Sequence, residues 1–115
     1  MRRFLLLAMA ASAFAADYPA GMSVQTFDGV ETGLLVPPEL SAEHPASLVI
    51  LLHGAGDNGP NLVRALGSWD KEGYVVCAPT ATEGTWDLSD LAAAKRIALQ
   101  LMKEMPIDKA AFVPV

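Results

Sequence analysis

A chain of 115 residues with 52% hydrophobic side chains holds one domain at most, with apolar material for one modest core. Its formal net charge of −5, without a cluster of basic residues, argues against nucleic acid and against anionic membrane surfaces as partners. A single cysteine, Cys77, excludes an internal disulfide, and two separated histidines complete no metal-ligand spacing, so no metal site is expected.

Arg2 and Arg3 precede the apolar run Phe4 to Ala11 and the small residues Ala13-Phe14-Ala15, the three-part pattern of a secretory signal peptide. The run is well short of the about 20 residues needed to span a bilayer. Residues 1–15 are therefore expected to be a cleaved leader and 16–115 a mature domain in a secreted or periplasmic location. Cleavage after Ala15 removes two arginines and no acid, which takes the net charge to −7. Cys77 is expected as a small buried hydrophobe. No other segment is long and apolar enough to cross a membrane, so no membrane partner is expected.

Ser23 to Phe27 and Val30 to Val36 are rich in β-formers and meet at Asp28-Gly29, a dipeptide that favours a two-residue hairpin turn. Pro37-Pro38 stops the second strand. Leu48 to Leu52 lacks polar alternation and predicts a strand covered on both faces. Gly59-Pro60 then opens a helix in which Leu62, Val63, Leu66 and Trp69 share a face and which Gly73 ends. Tyr74 to Ala78 predicts another apolar strand, halted by Pro79.

Asp87 is placed to cap a helix over Leu88 to Met105, with Asp90 in its first turn set favourably against the dipole. Its apolar stripe is read as Leu91, Ala94, Ala98, Leu101, Met102 and Met105. Pro106 ends it, and Ala110 to Val115 begins a further strand. The order predicts the α/β class: an antiparallel hairpin followed by parallel strands with helices on the sheet faces. A last strand without an outer neighbour exposes N–H and C=O groups, and self-association through that edge is expected.

The segment carrying the most chemistry is SLVILLHGAGDNG, Ser47 to Gly59, where a buried-type strand runs into His53 and three glycines. Backbone N–H groups fixed in such a loop can be aimed at an anion, and in acyl transfer the costly anion is the tetrahedral oxyanion. No serine or cysteine sits in a G-x-S-x-G turn: Ser41 and Ser47 lie beside a loop, Ser68 and Ser89 on helices. Asp57 and Asn58 read as turn residues that cap or stiffen the loop. Trp86 is a candidate pocket wall, Trp69 a core residue, and His44 a solvent-exposed side chain.

LLHGAGDNG resembles the strand-three loop of α/β-hydrolases, especially secreted esterases of the polyhydroxybutyrate-depolymerase and feruloyl-esterase type and the phospholipase/carboxylesterase group. The hairpin, Cys77-Ala78-Pro79, Trp86-Asp87 and Ile107-Asp108 fall in that family's order along nearly the whole mature chain. The resemblance implies that the Ala55 N–H is an oxyanion-hole donor, and that His53, Gly54, Gly56 and Asp57 shape the loop. It implies a small ester as substrate of full-length relatives and no cofactor. In such enzymes the strand after the Ile-Asp turn feeds a G-x-S-x-G nucleophile, with acid and histidine later. Here that strand reads AAFVPV, and Pro114 lacks the N–H of a ladder donor. The expectation is a truncated, N-terminal half of such a hydrolase that keeps the oxyanion loop, lacks nucleophile, acid and catalytic histidine, and is inactive as it stands.

A different class stays open, because Gly54, Gly56 and Gly59 also satisfy G-x-G-x-x-G between a strand and a helix, the fingerprint of a dinucleotide-binding loop. The acidic residue expected at the end of the following strand is absent, its place taken by Cys77-Ala78-Pro79. A non-catalytic binding module built on the GAGDNG loop is the remaining alternative.

Overall fold

Asp28 and Gly29 both adopt positive φ, 55° and 80°, which gives a two-residue turn the twist that matches its flanking strands. The turn joins β1 (Gly21–Phe27) to β2 (Val30–Val36), with Phe27 directly opposite Val30. The computed structural model describes residues 18–115, so the leader expected at residues 1–15 lies outside the described residues.

Three further strands, β3 (Ala46–Leu52), β4 (Tyr74–Pro79) and β5 (Ile107–Pro114), complete one sheet in the order β1-β2-β4-β3-β5. The hairpin joins the rest through antiparallel pairing of β2 with β4, whereas β3 runs parallel to both β4 and β5. Along β3 the alternate residues Leu48 and Ile50 face one side of the sheet, Val49 and Leu51 the other, and all four are buried. The unbroken apolar run is thus explained by two covered faces.

Helix α1 (Gly59–Leu66) covers one face through Leu62 and Val63, which pack with Leu35, Val49, Leu51, Val76 and Ala78. Helix α2 (Leu88–Glu104) covers the other through Ile97, Ala98 and Leu101, against Leu34, Leu48, Ile50, Val75 and Cys77. The Cys77 thiol is fully enclosed there, and loss of solvent pushes its pKa up to about 12. α1 approaches the sheet so closely that a Cβ on Gly59 would lie 1.7 Å from the Ala78 carbonyl oxygen.

The structure departs from the sequence reading in several places. α1 stops at Leu66, because Gly67 turns to φ 61° and returns its N–H to the Val63 carbonyl. Ser68 and Trp69 therefore leave the helix: Trp69 opens a 3₁₀ turn (Trp69–Glu72), half-buried against Tyr74, and Gly73 ends that turn instead. On α2 the buried line is Asp90, Ala94, Ile97, Ala98 and Leu101, while Leu91 is 39% exposed. β5 starts at Ile107, three residues early, and is an edge strand among the described residues, with Phe112, Val113 and Val115 exposed. The Val115 N–H donates to the Leu52 carbonyl, so alternation turns the Pro114 nitrogen to the open side, where a missing N–H costs no ladder bond.

From β3 the chain passes over one face to β4, and from β4 over the other face to β5, on the far side of β3. The direction of winding therefore reverses at β3. Such a reversal leaves a crevice beyond the carboxyl ends of the strands, the usual ligand position in open α/β sheets. His53 to Asp57 emerge there.

Candidate functional site

Gly54 to Asp57 form a β-turn: the Asp57 N–H donates to the Gly54 carbonyl at 3.2 Å, and Gly56, third in the turn, has φ 80°. A positive φ at that position is the type II pattern, which glycine meets without a steric penalty. Ala55, second in the turn, is exposed, and its N–H has no acceptor among the described residues. Asp57 turns back to accept the Asn58 N–H at 2.8 Å, and the Asn58 side chain caps α1 by accepting the Asn61 N–H at 2.9 Å.

His53 sits beneath the turn and is 2% exposed. Its Nε2 accepts the Ala81 N–H at 3.0 Å, which places the ring proton on Nδ1, and Nδ1–H donates to the Gly54 carbonyl at 2.7 Å. Both ring nitrogens are thereby committed to backbone. The imidazole is a strut joining the turn to the loop after β4, with neither nitrogen facing a reacting group. Trp86 adds a second brace, its indole N–H donating to the His53 carbonyl at 2.9 Å while its ring lies 5.2 Å from the imidazole.

The loop Thr80–Trp86 is therefore the wall of the site; the sequence reading assigned only Trp86 to a pocket wall and missed the roles of Thr80, Ala81 and Gly84. Besides the two contacts with His53, its Gly84 carbonyl accepts the Gly56 N–H at 3.0 Å, and its Thr80 hydroxyl accepts the Gly59 N–H at 3.0 Å. The signal for this partnership lay only in the topology: β3 and β4 are parallel neighbours, so the loops at their carboxyl ends must meet.

The same contacts bear on the dinucleotide alternative, which needs free N–H groups at the start of α1. Gly59 donates to Thr80, Pro60 has no N–H, Asn61 donates to the Asn58 side chain, and Leu62 donates to the Asn58 carbonyl. The first turn has no donor left for a pyrophosphate. Gly59 is accounted for by contact with Ala78 rather than with a ligand.

His44 lies away from this site, exposed beside a cleft that Pro37, Pro38, Leu40 and Lys71 also line at the opposite end of the sheet, where β3 and β4 begin. Ser23 is in β1, Ser41 in the loop beside His44, Ser47 in β3, Ser68 before the 3₁₀ turn and Ser89 in the first turn of α2, so none of the described serines lies at the Ala55 turn. Among the described residues no group of His, Cys, Asp or Glu could hold a metal ion, and no helix is long and apolar enough to cross a membrane.

No family model and no curated protein matches the sequence. Solved structures do match the fold. A thermostable esterase is 21% identical with a TM-score of 0.57, over 82% of this chain and 34% of its own. Poly(aspartic acid) hydrolase-1 from Sphingomonas sp. KT-1 is 15% identical with a TM-score of 0.63, over 84% and 47%. Thermogutta terrifontis esterase 2 is 20% identical with a TM-score of 0.58, over 88% and 44%. The chain thus has a partial α/β-hydrolase fold and spans a third to a half of the length of these structures.

Proposed function

We propose that the turn Gly54–Asp57 is the oxyanion-stabilising element of a carboxylic-ester hydrolase centre, with the Ala55 N–H as a donor to the developing negative charge. The observation that carries this reading is an exposed N–H without an acceptor among the described residues, held at the carboxyl end of β3, where the winding reverses, on a turn braced by His53 and Gly84. A donor fixed beforehand stabilises the tetrahedral intermediate without reorganising during the reaction, an effect worth about 10²–10³ in kcat for one such group. The esterase likeness of the fold supports an ester as the substrate class. The reading includes export, on the leader pattern of residues 1–15, and self-association through the open edge of β5.

In this reading the chain supplies the anion-binding half of the chemistry and not the attack, since none of its serines stands in a G-x-S-x-G elbow. Purified residues 16–115 are expected to turn over no chromogenic short-chain ester and to take no label from a fluorophosphonate. Labelling of a serine in this chain would overturn that division of roles.

A further inference from the structure

Asp90 is 6% exposed, and both of its carboxylate oxygens are engaged. Oδ2 accepts the Asp87 N–H at 3.3 Å, and the Asp90 N–H returns a bond to Asp87 Oδ1 at 2.8 Å, a reciprocal capping box that accounts for an acid at the third helical position. Capping leaves Oδ1 unexplained. That oxygen reaches out of the helix and accepts both the Thr82 N–H at 3.1 Å and the Thr82 hydroxyl at 2.7 Å.

Thr82 lies within the wall of the Ala55 turn, between its Ala81 and Gly84 contacts. One residue before it, the Ala81 N–H fixes the His53 ring; two residues after it, the Gly84 carbonyl holds the Gly56 N–H; and Trp86 ties the far end to the His53 carbonyl. Thr82, Glu83 and Thr85 are exposed, so apolar burial does little to hold the middle of this loop. A carboxylate receiving two donors from one residue supplies the fixed point instead, through charge-assisted bonds stronger than neutral ones.

We propose that Asp90 is a positioning residue for the oxyanion-stabilising turn, acting through Thr82 on the Ala81 and Gly84 contacts that orient His53 and Gly56. The proposal rests on the reading of that turn as an anion site. It gives the first turn of α2 a task beyond capping: the same side chain that starts the helix sets the geometry of a loop contributed by another strand.

The test is amide hydrogen exchange at Gly56, together with the ¹⁵N shifts of the His53 ring, which report its tautomer. Asp90→Asn and Thr82→Val are expected to speed Gly56 exchange by about tenfold or more, the factor of a lost charged hydrogen bond. Both should also shift the His53 ring signals. Asp87→Ala removes the cap of the Asp90 N–H but keeps the Asp90–Thr82 bonds; it should weaken the start of α2 and change Gly56 and His53 less than Thr82→Val does. Because Thr82 is exposed, Thr82→Val reads the outcome even where Asp90→Asn fails to fold. Wild-type exchange and ring shifts in Thr82→Val, or equal changes in Asp87→Ala, would overturn the proposal. A turn that binds no anion while these responses appear would defeat the ester-hydrolase reading alone, and the converse result would defeat the clamp alone.

Discussion

The Ala81 N–H donates to His53 Nε2 at 3.0 Å, joining residues 28 positions apart at the carboxyl ends of two parallel strands. Replacing the imidazole by a ring of similar size without an acceptor, His53→Phe, leaves that N–H unpaired in a packed site. The cost is expected to be about 1–3 kcal/mol. Urea unfolding followed by Trp fluorescence measures it, and stability equal to that of the parent would mean that the bond carries no weight.

Glycines of the same motif are expected to differ sharply. A Cβ at Gly59 meets the Ala78 carbonyl oxygen at 1.7 Å, whereas one at Gly54 meets nothing within 4 Å and Gly54 does not have a positive φ. Gly59→Ala forces α1 off the sheet and should cost about 3 kcal/mol or more. Gly54→Ala should stay within about 0.5 kcal/mol of the parent. Denaturant midpoints for the two variants decide it; equal midpoints would contradict the packing described for α1.

Two leucine-sized side chains on α2 provide a second contrast. Ile97 is 2% exposed among Leu34, Leu48 and Cys77, so Ile97→Ala opens a cavity and should cost about 2–5 kcal/mol. Leu91 is 39% exposed, and Leu91→Ala should cost less than about 1 kcal/mol. The reverse ranking in thermal or chemical unfolding would place the other face of the helix against the sheet.

Asp87 supplies an acid-sensitive element. Its carboxylate accepts the Asp90 N–H and then the Ser89 hydroxyl, and these bonds hold its pKa below the ordinary value of 3.8. A carboxyl with a lowered folded-state pKa stabilises fully above its unfolded value, and that contribution fades as the pH falls through the folded one. Asp87→Asn keeps a cap acceptor but cannot titrate. Stability of the parent relative to Asp87→Asn should therefore be constant above about pH 5 and decline below pH 3.8. Stability curves measured from pH 6 to pH 2 that run parallel for the two proteins would contradict this.

Much of the fold was legible because its signals are local. Asp28-Gly29 specifies its own turn, the run ending at Leu52 announces a strand buried on both faces, and Asp87 announces a helix start. The buried face of α2 was read correctly at Ala94, Ala98, Leu101 and Met105 but centred too far toward Leu91 and without Ile97, because both are apolar and only the position of the sheet selects between them. Trp69 was misread because the helical spacing continues past Gly67, where the backbone itself turns away. At the candidate site, the position of the glycine turn followed from the strand before it. Of its wall only Trp86 was read as a candidate, since the bonds from Ala81 and Gly84 depend on β4 lying beside β3, and the Asp90–Thr82 bonds on α2 starting beneath that loop.

The most direct measurement is a ¹H–¹⁵N titration of the folded chain with a tetrahedral phosphonate monoester, comparing the parent with Ala55→Pro. Proline suits the second position of a type II turn and removes only the N–H in question. The account predicts a saturable shift centred on the Ala55 amide in the parent, and loss of the accompanying Gly54 and Gly56 responses in the variant. An Ala55 amide unmoved by the phosphonate, or Gly54 and Gly56 responses that persist in Ala55→Pro, would contradict it.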